Sequence, residues 1–167
     1  LAWFMADVQK GMAEMSKLLG LPDISKNYER DRKALIRRVE DFAWDGEWYL
    51  RATFDDGSLL GSSANAEARI DSLPQSWATL SGAADKARAK EALESAWKHL
   101  VREDDELILL FEPPFNRADP SPGYIKGYPP GVRENGAQYT HAALWLAMAM
   151  AESGDGTRAA KILSWLT

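Results

Sequence analysis

The chain has 167 residues, 46% of them hydrophobic, enough to bury one sizeable core. Its 20 Lys+Arg against 25 Asp+Glu leave a formal net charge of −5, so no overall attraction draws it to nucleic acid or anionic lipid. With no cysteine and only two histidines, His99 and His141, disulfides, iron–sulfur clusters, thiol nucleophiles and a His-rich zinc site are all excluded.

The first residues, Leu1-Ala2-Trp3-Phe4-Met5, are neither an initiator methionine nor a basic leader, and they read as the interior of a longer chain. Leu1, Phe4, Val8, Met12, Met15 and Leu19 recur at three- and four-residue spacing, which predicts an amphipathic helix ended by Gly20 and Pro22. Ser25 is placed to cap a second helix with Tyr28, Leu35, Ile36, Val39 and Phe42 on its inner face. A loop this short makes the two helices antiparallel neighbours.

After Ala43 the pattern turns aromatic and β-branched. Trp44-Asp45-Gly46-Glu47 reads as a turn, Trp48–Phe54 as a strand, Asp55-Asp56-Gly57 as a hairpin turn and Ser58–Ser63 as the returning strand. Ala68–Leu73 is extended up to Pro74, which starts a short helix over Gln75–Leu80. A strong helix is predicted over Ala83–Val101 and a buried strand over Glu106–Phe111. Six of the eight prolines and four glycines then fall between Glu112 and Thr140, a 29-residue stretch too aromatic for disorder. An ordered loop beside a functional site is the expectation. Two helices, Gln138–Glu152 and Thr157–Leu166, close the chain around a Ser153–Gly156 turn. The longest apolar run, Ala142–Ala151, is half of the roughly 20 residues a membrane span requires.

Two clusters carry chemistry. Around Trp44–Ala52, two carboxylates sit among three aromatics and Arg51, a setting in which rings lie against pyranose faces and a carboxyl acts as general acid. The same residues also make a plain helix-to-strand turn, with Asp45-Gly46 chosen for backbone freedom. In Tyr124–His141, Lys126, Arg133, Thr140 and His141 can converge on an anion at a helix start, or the segment is a structural Pro/Gly loop. His99 reads as a partner of its own helix C-terminus. The acidic run Glu103–Glu106 lacks the glycine and ligand spacing of a calcium loop.

Four ordered blocks, Trp44–Ala52, Asp56–Ser62, Ile70–Ala78 and Gly127–His141, resemble glycoside hydrolase family 94. That family comprises cellobiose and chitobiose phosphorylases and the C-terminal phosphorylase-like region of cyclic β-1,2-glucan synthetases, and these blocks look most like the last. The resemblance implies a mainly α fold: an incomplete (α/α)6 barrel with a small β-hairpin and long loops, all 167 residues forming one fragment truncated at both ends. It implies inverting phosphorolysis, in which one carboxylic acid protonates the glycosidic oxygen and inorganic phosphate attacks the anomeric carbon, with no cofactor and no metal. By motif position the acid is Asp45, with Glu47 as fallback. Trp44, Arg51 and Gln75 are assigned to the sugar, and His141, Lys126 and Arg133 to phosphate. The implied partners are a β-glucan or oligosaccharide, inorganic phosphate and the rest of the parent chain. The implied location is the cytoplasmic face of a bacterial inner membrane, without membrane contact by this segment. Half a barrel exposes helix faces, so self-association is expected. Asp71-Ser72-Leu73 departs from the more acidic run expected of the disaccharide phosphorylases, which detaches their substrate preference from this chain.

Overall fold

A computed structural model describes residues 1–166. Helix α1 spans Ala2–Leu18 and α2 spans Pro22–Phe42. They run back along one another, and Arg32 Nε donates to the Ala6 carbonyl at 2.9 Å. The second helix begins three residues before the expected Ser25 cap, which instead lies buried inside it. Pro22 is the reason, since its fixed φ and missing N–H suit the first helical turn.

The spacing along α1 buries Trp3, Ala6 and Ala13, while Phe4, Met5, Val8 and Met15 stay 40–51% exposed. An apolar face of this kind favours association. The 167-residue chain expressed alone is expected to self-associate in light scattering; a monodisperse monomer at tens of micromolar would show that the face is tolerated.

The hairpin forms where predicted but is shorter. Strand β1 (Ala52–Thr53) pairs antiparallel with β2 (Leu59–Leu60), in the register Ala52↔Leu60. Asp56 Oδ1 accepts the Ser58 N–H at 2.8 Å within the turn. Trp48–Leu50 is buried and pairs back on the end of α2 instead of extending the hairpin. Tyr49 bridges Trp44, with the Asp45 N–H donating to the Trp48 carbonyl at 2.9 Å and the Leu50 N–H to the Ala43 carbonyl at 2.8 Å, while the Tyr49 N–H and carbonyl bond the Gln75 side chain.

Strand β3 (Ile70–Asp71) leads directly into α3 (Ser72–Leu80). Asp71 caps this helix by accepting the Leu73 N–H at 2.8 Å, which moves its start three residues ahead of the expected Gln75. Asp85 likewise caps α4 (Lys86–Leu100). The single strand expected over Glu106–Phe111 is divided. Its first part, β5 (Leu107–Ile108), pairs with β4 (Val101–Arg102), and its last, β6 (Phe111–Glu112), pairs with β3. Helices α5 (Thr140–Glu152) and α6 (Gly156–Trp165) end the chain.

Among the described residues this makes six α-helices and three two-stranded antiparallel sheets, the mainly α arrangement expected of part of a helical barrel. Helix α3 packs on α4 and α5, and α5 on α6, around Trp48, Tyr49, Leu93, Leu100, Leu146 and Met150. Among the described residues no helix is long and apolar enough to cross a membrane.

The proline-rich stretch is ordered by polar side chains, not by repeating structure. Glu67 accepts the N–H groups of Asn116, Arg117 and Ala118 at 2.8–2.9 Å. Those bonds, that of Asn116 foremost, hold its carboxyl below the usual glutamate range. Asn135, fully buried, holds Phe115 by both its N–H and its carbonyl.

Candidate active site

A cavity of about 730 Å3 opens between the start of α1, the end of α2, the hairpin and α3. Phe4, Trp77 and Trp145 form a continuous aromatic wall, with ring centroids 5.0 Å apart for Phe4–Trp77 and 5.5 Å for Trp77–Trp145. Edge-to-face rings of this kind leave apolar surface open to a ligand. Arg38 and Arg51 supply the cationic part of the lining.

Arg51 is fixed at both ends. Its backbone N–H donates to the Leu60 carbonyl at 2.8 Å, and Gly61 lies against it so closely that a Cβ there would sit 2.5 Å from Arg51 N. Gly61 also has φ +85, so only glycine suits the position. At the other end, Arg51 Nε lies 3.2 Å from Asp71 Oδ2. Burial pushes the Asp71 carboxyl above its ordinary range, and the Arg51 charge and the Leu73 N–H oppose that shift.

His141 stands in the first turn of α5, exposed, with its ring 5.4 Å from Tyr139 and 6.5 Å from Trp145. It therefore borders the aromatic wall from outside. Arg133 is 64% exposed, stacks 4.9 Å over the Tyr128 ring and pairs with Glu134 at 3.6 Å. Lys126 is directed elsewhere: its Nζ donates to the Ala118 carbonyl at 2.7 Å, bracing the loop.

The other sequence-derived candidates are not gathered here. Asp45 Oδ1 accepts from Ser62 Oγ at 3.1 Å and Oδ2 from the Ser63 N–H at 2.6 Å, so the carboxylate closes a loop. It does not line the cavity. A general acid has to present an oxygen within about 3 Å of the atom it protonates, and both Asp45 oxygens are engaged inside the chain. Glu47 is exposed, and its backbone carbonyl accepts from Ser95 Oγ. Trp44 packs edge-on against Tyr49 at 5.0 Å, with Arg88 5.2 Å over its ring, on the α4 side. Gln75 is fully buried: its Oε1 accepts the Tyr49 N–H at 2.9 Å, and its Nε2 donates to the carbonyls of Tyr49 and Asp71 at 3.0 and 2.9 Å. No donor or acceptor of Gln75 is left facing a ligand.

Tyr49 itself is buried, and its hydroxyl donates to Glu40 Oε1 at 2.9 Å. Burial first, then Glu40, push the phenol well above its ordinary pKa, so it stays protonated. Trp145, Asp71 and Asn135 were not singled out from the sequence. For Trp145 a signal existed, since it lies four residues after His141 on one helix face.

Comparison of the sequence with known proteins identifies a family. The model of the glycosyl hydrolase 94 superfamily catalytic domain matches residues 1–167. The cyclic beta-(1,2)-glucan synthase NdvB of Rhizobium meliloti (strain 1021) is 43% identical over 151 residues, 90% of this chain and 5% of that protein. Solabiose phosphorylase of Paenibacillus borealis is 35% identical over 70% of the chain and 15% of that protein. N,N'-diacetylchitobiose phosphorylase of Vibrio proteolyticus is 28% identical over 89% of the chain and 18% of that protein. The chain thus spans less than a fifth of each of these relatives. With its whole length matched to one catalytic-domain model, the chain belongs to the glycosyl hydrolase 94 superfamily.

Proposed function

We propose that this chain is part of the phosphorylase-like domain of a cyclic β-1,2-glucan synthase, and that the domain cleaves β-glucosidic bonds with inorganic phosphate. The product is glucose 1-phosphate, and its release controls glucan chain length at the cytoplasmic face of the inner membrane. The observation that carries this reading is the company of the match: a glucan synthase at 43% identity beside sugar phosphorylases, over nearly the whole chain.

The geometry supports a division of labour. The aromatic wall and Arg51 receive the sugar, because flat rings suit the apolar faces of a pyranose and a guanidinium suits its hydroxyls. His141, exposed in the first turn of α5 where helix N–H groups favour an anion, and Arg133, exposed in the loop that precedes that helix, receive phosphate. None of the cavity's described lining residues is a carboxylic acid. The acid that protonates the leaving oxygen therefore comes, in this reading, from a part of the domain outside these residues, and Asp45 serves as a loop clasp.

The test is phosphate-dependent release of glucose 1-phosphate from β-1,2-glucan by the full-length protein that carries these residues. The product is expected from that protein, and free or re-linked glucose in its place would establish hydrolysis or transglycosylation. Glucan binding with no product would make the site a non-catalytic module. Asp45→Asn and Glu47→Gln are expected to keep turnover within about tenfold, whereas a loss near the roughly 10²–10⁴-fold typical of a missing general acid would return the role to that residue.

A further inference from the structure

We propose that Asp71 is a positioning residue for the sugar site: its buried carboxylate holds the Arg51 guanidinium so that the terminal nitrogens face the cavity and donate to glucan hydroxyls. The inference rests on the reading of that cavity as the sugar site.

The geometry carries it in three steps. The Asp71 side chain is 7% exposed and the Arg51 side chain 37%, so the pair is anchored inside and opens outward at the cavity wall. Arg51 Nε stands 3.2 Å from Asp71 Oδ2 as an ion pair, and its two terminal nitrogens make no hydrogen bond among the described residues. An arginine is a planar fork of five donors, so fixing Nε against a carboxylate fixes the direction of the rest. Asp71 in turn cannot drift: its Oδ1 caps α3, its backbone pairs with Phe111, and its carbonyl accepts from Gln75. Burying the Asp71 carboxylate costs desolvation free energy, which the half-exposed Arg51 guanidinium beside it offsets. Arg51 lines the same cavity as Trp77 and Pro74, where a sugar ring would rest.

A purely structural role predicts a different experiment from a positioning role. Asn caps a helix as well as Asp does, so Asp71→Asn keeps the cap and the shape and removes the charge that holds Arg51. In the full-length protein, Asp71→Asn is expected to raise KM for β-1,2-glucan about tenfold, equivalent to about 1.4 kcal/mol, with kcat within twofold. Arg51→Met should raise KM at least as much, and the double variant should be no worse than Arg51→Met alone. Oligosaccharide titration by calorimetry on the same four proteins gives the binding readout without turnover. Additive effects in the double variant, or an Asp71→Asn protein that only melts earlier with KM and calorimetric affinity unchanged, would overturn the proposal. If the parent protein binds glucan with this coupling but releases no glucose 1-phosphate, the phosphorolysis reading fails and the positioning role stands. If it neither binds nor cleaves, both fall.

Discussion

Gln75→Leu is expected to destabilise the core strongly. The substitution preserves volume, so little cavity forms, and the effect comes from hydrogen bonds alone. Tyr49 is fully buried, and its backbone N–H and carbonyl have the Gln75 amide as their hydrogen-bond partner. Leucine leaves both unsatisfied in the core, at about 1–3 kcal/mol each, or roughly 2–6 kcal/mol together. A domain of this size with about 5–15 kcal/mol in total has little margin for that. At roughly 2–4 °C per kcal/mol, the melting temperature followed by circular dichroism should fall by about 5–20 °C. An unchanged melting temperature would mean that water or a shifted backbone replaces the amide. Because Tyr49 also holds Trp3, Trp44 and Glu40, the damage should spread to the floor of the cavity.

Asn135→Asp is the second large effect, and it separates the loop from the core. Asn135 repeats the Gln75 arrangement in the proline-rich loop: Oδ1 accepts the Phe115 N–H at 2.7 Å, and Nδ2 donates to the carbonyls of Phe115 and Tyr128 at 2.9 and 2.8 Å. Aspartate has the same shape but turns an oxygen toward those two carbonyls, at a site with no solvent exposure. An uncompensated buried charge costs about 3–5 kcal/mol. The loop is further constrained next door, where a Cβ on Gly136 would meet Pro114 Cβ at 2.9 Å. The segment carrying Arg133 and His141 should therefore loosen. Hydrogen exchange is expected to rise first over residues 113–139, with phosphate-dependent turnover lost while the helical circular dichroism persists. Uniform exchange across all helices would instead show that Asn135 supports the whole core.

These two amides were the least legible part of the sequence. Gln75 stands in a motif block and is assigned there to the sugar, and Asn135 carries no mark beyond its place in a Pro/Gly-rich stretch. Sequence patterns report which face of an element is buried, since the period of a helix or strand is a local property. They do not report what a polar side chain meets across 20 or 26 residues of chain, the separations of these two clasps. The same gap explains Asp45. Its neighbours in sequence are aromatic and suggest a sugar site, whereas its partners in space are Ser62 and Ser63.

By itself the sequence determined the mainly α class, all six helices to within about four residues, the Asp55–Gly57 hairpin turn and the family resemblance carried by four ordered blocks. Each of these depends on local periodicity, turn chemistry or contiguous motif. Helix α3 starts three residues earlier than its proline suggests because its cap, Asp71, acts from the end of a strand. The tertiary structure alone decided that Arg51 stands with Asp71, Trp77 and Trp145 at one cavity, that Asp45, Trp44, Gln75 and Lys126 are engaged within the fold, and that one predicted strand serves two sheets. Those outcomes follow from which distant groups satisfy one another once water is excluded, because a buried donor or acceptor must find its partner wherever the chain brings one.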